Sequence, residues 1–399
     1  MAFLSGSIGF ERFRVVGSKL RKFSGDQLEL LSHFASGKFK TSSEENVQVG
    51  FLGGSHLLDR DFDEEKNIIN HALHFGIRID TNQIPSALKK AWLQIELAAM
   101  MKDSSQGRPT RAQRQEASDS VEQRCLNELQ SDKYVRMQQY PALWDVQQQL
   151  LYFGGSGASA LGHAADLFER AFAVELERVN ASWLAMQWAE RTKKLDALHE
   201  IDITSFLEES PIVSLAWASN TADDFSFLGN EFLLWLWWYL DNESDRVLLK
   251  DKSEVTLMFA RTMQLECPWG EWGREVLTSE CPIRMPEAMQ AIRAGKLPRK
   301  AGLILVREGQ QFEFVLHAET FAISSAKIIV EEPDDHPQDR LDNRIDSIRF
   351  LSETVDQLFE TFCHRRVGKA WNSNVKKIRK WLQTEPNSKK VFAGSLNGR

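Results

Sequence analysis

Residues 107–153 constrain the fold more than any other stretch. Two short apolar runs, Ala142-Leu143-Trp144-Asp145 and Leu150-Leu151-Tyr152-Phe153, are joined by the all-polar Gln147-Gln148-Gln149, which is the pattern of a β-hairpin. Ahead of them, Gly107-Arg108-Pro109-Thr110-Arg111 places Pro near a first helical position. A charged helix with Arg111, Arg114 and Glu116 near its start is expected from there, ending before Lys133. A helix feeding a sheet points to a mixed chain.

The flanking segments agree. Residues 10–16 read as a strand, and Ser24 begins a helix that puts Leu28, Leu31 and Phe34 on one face. A polar loop over 40–46 and a strand over 47–52 follow. Leu73, Phe75, Ile77 and Ile79 alternate with His74, Gly76, Arg78 and Asp80, the period of a half-buried strand. Pro85 opens a helix through Met101, with Leu88, Trp92 and Ile95 at helical spacing. After the hairpin, an amphipathic helix over 158–172 carries a Leu161, Ala164, Leu167, Phe168 and Phe172 stripe that should pack on the sheet just before it.

Further on, 255–266 has strand character, and Pro286 starts a helix that Gly295 closes. Three antiparallel strands are expected at 303–306, 312–316 and 326–330. A long amphipathic helix over 341–362, marked by Ile345, Ile348, Leu351, Val355, Leu358 and Phe362, comes next. A short basic helix over 375–382 and a frayed end complete the chain.

The fold class is α+β. With 399 residues, 42% hydrophobic and 26% charged, the chain is long enough for two or more domains and has the balance of a soluble globular protein. Cys125, Cys267, Cys281 and Cys363 are far apart, and residues 1–17 lack the pattern of a secretory signal, so reduced thiols in a cytoplasm are expected. The longest apolar run, 232–240, has nine residues against the ~20 that a membrane helix needs. No membrane partner is expected.

Net charge is −7, unevenly spread: residues 365–399 hold six Lys and four Arg against Glu385 alone, a net +9 that leaves −16 on the first 364. Three basic clusters stand out. Arg108, Arg111 and Arg114 recur every three residues at a helix start. Lys296, Arg299 and Lys300 lie where a helix passes into a strand, within 284–307, where six basic residues face only Glu287. Lys376, Lys377, Arg379 and Lys380 form the third. A lone cluster is usually a solvated face. Three in an acidic chain suit a molecule that attracts DNA along one lined path and repels it elsewhere.

No catalytic or cofactor motif is present. Asp59-Arg60-Asp61-Phe62-Asp63 has Glu64 and Asn70 where a calcium loop needs Gly and Glu, which favours a solvated turn. Gly154-Gly155-Ser156-Gly157 lacks the Gly-Lys-Ser/Thr ending of a phosphate loop and the Gly-x-Ser-x-Gly spacing of a nucleophile elbow. The cysteines and histidines make no local zinc half-site. Trp235, Trp237 and Trp238 could stack bases, but apolar residues occupy every position around them, which favours a buried element.

Gly107-Arg108, the charged helix, the Leu-Trp-Asp strand, the polar turn, the second strand and the apolar helix from Ala164 to Phe172 resemble, in order, the middle of the bacterial recombination-associated protein RdgC family. The resemblance resumes at Glu287-Ala288-Met289-Gln290-Ala291-Ile292-Arg293-Ala294-Gly295-Lys296 and the strands and helix after it. It implies two similar-sized α+β halves and a ring-shaped homodimer around double-stranded DNA, bound without sequence preference. It also implies antagonism of the strand-exchange recombinase and a cytoplasmic, nucleoid-associated protein. Single-stranded DNA is a further candidate partner. Against this pattern the chain reads as an N-terminal half (1–200), a Trp-rich insertion (201–254), a C-terminal half (255–364) and a basic tail (365–399). Two other readings stay open: a metal-dependent nuclease whose carboxylates come from distant segments, and a protein-interaction module that binds no DNA.

Overall fold

The computed structural model describes residues 3–37, 46–102, 108–207, 212–218, 221, 223–270, 273–329 and 337–384. The strands are β1 (Ile8–Val16), β2 (Val47–Leu52), β3 (Ile68–Ile69), β4 (Ala72–Asn82), β5 (Val135–Asp145), β6 (Leu150–Phe153), β7 (Glu175–Val179), β8 (Arg246–Leu248), β9 (Glu254–Glu266), β10 (Arg274–Ser279), β11 (Leu297–Arg307), β12 (Gln310–His317) and β13 (Ile323–Ile329). The α-helices are α1 (Gly25–His33), α2 (Glu64–Asn67), α3 (Ser86–Lys102), α4 (Arg111–Leu129), α5 (Ala158–Phe172), α6 (Ala181–Thr192), α7 (Leu195–His199), α8 (Phe227–Asn242), α9 (Pro286–Arg293), α10 (Pro337–Arg366) and α11 (Trp371–Gln383). The mixed α+β class expected from the sequence is present, and both strands flanking Gln147-Gln148-Gln149 form. The expected loop over 40–45, Val330 and residues 385–399 of the frayed end lie outside the described residues.

The chain divides into two compact units. One comprises Gly17–Val146 and Ser156–Glu175, and its antiparallel sheet runs β5-β4-β2, with β3 on β4. One face of that sheet is aromatic. Phe51, Phe75 and Trp144 meet Phe168 of α5 at ring separations of 6.0, 5.8 and 5.8 Å, as the apolar stripe of that helix requires. The other face is buried too, which corrects the expectation of a half-buried β4. His74, Arg78 and Asp80 are 1%, 3% and 9% exposed. Arg78 is held by Asp80 at 2.7 Å and by the Leu57 carbonyl at 3.3 Å, so its charge is compensated where it is withdrawn from water.

Arg60, Asp61 and Asp63 are exposed, as a solvated turn requires, and Asp59 departs from that expectation. It is buried and accepts the N–H groups of Ser55 and Asp61 and the Lys66 ammonium. These bonds hold its carboxyl below the usual value although burial pushes the other way.

The other unit comprises Met1–Val16, Gln147–Gly155 and Leu176–Arg399. Its sheet runs β10-β9-β11-β12-β13-β1-β6, with β8 on β9 and β7 on β1, and the strand pairs along that path are antiparallel. The hydrophobic centre is α8. Phe232, Leu233, Leu234, Trp235 and Leu236 are at most 1% exposed, and each large apolar side chain so withdrawn stabilises by roughly 1.5–3 kcal/mol. Phe232 packs on Phe321, Phe359 and Phe362. Gly229, on the same helix, lies so close to the Ala318 carbonyl that a Cβ would stand 1.8 Å from its oxygen.

Buried arginines fasten α10 to the sheet. Both Nη atoms of Arg12 on β1 donate to Asp356 at 2.7 Å. Arg307 on β11 donates to the Thr354 hydroxyl at 3.0 Å and to Asp251 at 2.5 Å.

Candidate nucleic-acid interface

Helices α3 and α4 pack together through Trp92, Val121 and Cys125, with Leu88, Leu93 and Leu129 alongside. Ile95, expected on that apolar face, is 61% exposed. The Arg124 guanidinium covers the Trp92 ring at 4.4 Å. The start of α4 is fixed by a capping box: the Thr110 hydroxyl accepts the Gln113 N–H, and the Gln113 side chain accepts the Thr110 N–H.

The first turn of α4 contains no acid, and Arg108, Arg111 and Arg114 are exposed beside it. None of the three has a carboxylate partner among the described residues. Cations at the positive end of a helix dipole are unfavourable by about 0.3–1 kcal/mol each. An anion held there interacts favourably with both the arginines and the free N–H groups.

The second basic cluster is mostly neutralised, which corrects its grouping as a DNA contact. Lys296 is 7% exposed and its ammonium is held by Glu275. Arg299 pairs with Glu266 at 3.1 Å and Glu319 at 2.6 Å, and its guanidinium lies 4.2 Å over the Trp217 ring. Burial raises the Glu319 carboxyl above its usual value even against the pull of Arg299. Lys300 is half-buried opposite His317, whose imidazole is pushed down to about 4 by burial and then by Lys300 and Arg299. The local excess of positive charge is a property of sequence neighbours. Pairing of β9, β10 and β11 brings in acids that are distant along the chain.

The third cluster is divided by the period of α11. Trp371, Val375, Ile378, Trp381 and Leu382 are buried, and Lys376 and Lys380 point outward. Lys377 is 3.0 Å from Glu243, and the Arg379 guanidinium donates to the Ser205 carbonyl at 2.7 Å. Two cations absent from the sequence-based set join the outer group, Arg365 and Lys369, both exposed. Both belong to the basic tail by composition, but they stand apart from the run at 376–380 in sequence.

The tryptophans offer no stacking platform: Trp235, Trp237 and Trp238 are 0–3% exposed. Among the described residues no group of three or more His, Cys, Asp or Glu side chains is placed to hold a metal ion, and no helix is long and apolar enough to cross a membrane. Comparison with protein-family models yields no match, and comparison with curated proteins yields none either.

Proposed function

We propose that the protein binds DNA through its phosphate backbone without reading sequence, and that it acts without a catalytic step. The observation that carries this reading is the trio of exposed, carboxylate-free arginines, Arg108, Arg111 and Arg114, at the capped start of α4. Lys376 and Lys380 on α11, with Arg365 and Lys369, supply a second set of outward cations in the other unit. Such side chains displace condensed counterions and position a duplex without touching base edges.

The resemblance to the RdgC family extends the proposal: a homodimeric ring enclosing double-stranded DNA, restraining the strand-exchange recombinase on the nucleoid. Anisotropy titrations with mixed-sequence duplex and single strands over a range of salt test it. With about six phosphates neutralised, log affinity falls against log salt with a slope near −5. Absence of binding at low salt ends the proposal, and sedimentation separately tests the dimer.

A further inference from the structure

A cavity of about 520 Å³ opens along one face of α10 in the larger unit, walled by α10 on one side and by Arg12, Leu150, Arg191 and Lys250 on the other. We propose that it binds a small zwitterion, a molecule the size of an amino acid or short peptide carrying one ammonium and one carboxylate. This site is independent of the DNA reading.

Ser352 gives the first indication. Ser347, Thr354 and Thr361 on the same helix each donate a hydroxyl to the carbonyl four residues back, at 2.8, 2.7 and 2.9 Å. Ser352 lines the cavity, is 2% exposed, and its hydroxyl has no partner. A buried polar group left unpaired costs about 1–3 kcal/mol. One turn on, Gln357 donates to Glu353 at 2.8 Å while its carbonyl oxygen stays unpaired. Both oxygens are closed to solvent as the structure stands, so each reaches a ligand only by turning toward the cavity.

Charge pairing supplies the second. Of the four carboxylates in the lining, Asp356 is taken by Arg12, Glu360 by Arg191 and Asp251 by Arg307. Glu353 and Lys250, both exposed, are the lining charges with no ion-pair partner among the described residues. With the other lining charges paired, a phosphorylated anion would leave Glu353 unmatched and a polyamine would leave Lys250 unmatched. A zwitterion places its ammonium against Glu353, with Gln357 and Ser352 free to turn toward it, and its carboxylate against Lys250, so both free charges are matched. The volume lies in the range of small-molecule sites.

Calorimetric titration of the full chain with a panel of free L-amino acids, glycylglycine and triglycine provides the test, alongside the N-acetyl and carboxamide form of each. The expected result is binding by at least one free zwitterion, weakened about tenfold or more when either charge is capped. Glu353→Gln and Lys250→Met, at exposed positions, should each weaken that ligand with the thermal melt unchanged. Ser352→Ala should weaken it while leaving the free protein as stable as before or more so. The proposal is overturned if no zwitterion binds at millimolar concentration, if capped and free forms bind alike, or if neither charge substitution changes affinity.

Discussion

Glu231, in α8, and Arg366, at the end of α10, form a buried ion pair at 2.5 Å with side chains 1% and 6% exposed. The Glu231 carboxylate also accepts the Thr204 N–H at 2.6 Å and the Thr204 hydroxyl at 3.1 Å. The Arg366 guanidinium donates to the Asp202 carbonyl at 2.5 Å and lies 5.1 Å over the Trp371 ring. The segments expected as a separate insertion and a basic tail are thus tied to each other. Glu231→Ala strands the arginine charge and should lower the urea unfolding free energy by about 3–5 kcal/mol. Replacing both residues by Leu should cost less than either single truncation. Single and double variants of equal cost would show that the pair is not the element at stake.

Burial pushes the His74 imidazole down to about 4, and neither ring nitrogen has a hydrogen-bond partner. An unfolded histidine titrates near 6.5, so between those values the unfolded chain holds the extra proton. Stability from this residue is complete above pH ~6.5 and declines as pH falls toward 4, by about 3 kcal/mol at most. The urea midpoint of the native chain should therefore fall relative to that of His74→Leu as the medium is acidified. Parallel pH profiles would rule the contribution out.

Local pattern made most elements legible, because apolar period, Pro at helix starts and Gly295 with its φ of +88° all act within a few residues. Pairing between distant segments was not legible. β1 pairs with β13, as in Ile8↔Ala326, and nothing near Ile8 announces that partner. The same blindness affected the candidate site. Arg108, Arg111 and Arg114, whose spacing sets them on one side of a helix start, are exposed, because a helix surface is set by near neighbours, whereas Lys296 and Arg299 meet Glu275, Glu266 and Glu319 only through sheet pairing and the turn after β12. β4 departs from its pattern for a related reason: alternation identifies its apolar face, and the opposite face is covered as well.

Gly229 offers a steric test of how α8 is seated. A Cβ there would stand 1.8 Å from the Ala318 oxygen and 3.3 Å from the Ala181 side chain. The first is backbone that cannot rotate away. Gly229→Ala gains helix propensity of about 1 kcal/mol, yet it should destabilise by roughly 2–3 kcal/mol net through overpacking. Differential scanning calorimetry decides the sign, and a raised melting temperature would mean that α8 has room the packing denies.

The proposed DNA-binding surface makes opposite predictions for two sets of basic residues. Arg111→Glu and Arg114→Glu, on a solvent-exposed helix start, should leave the melting temperature nearly unchanged. They should weaken duplex binding and flatten the log–log salt slope by about 0.9 for each phosphate that is no longer neutralised. Arg299→Glu should do the reverse. It faces Glu266 and Glu319, so its cost falls on stability, and the salt slope of the folded fraction should match the native chain. Lys376→Glu with Lys380→Glu tests the second outward set in the same way. If Arg299→Glu flattens the slope while the α4 substitutions do not, DNA approaches a different face, and the free arginines of α4 serve another ligand.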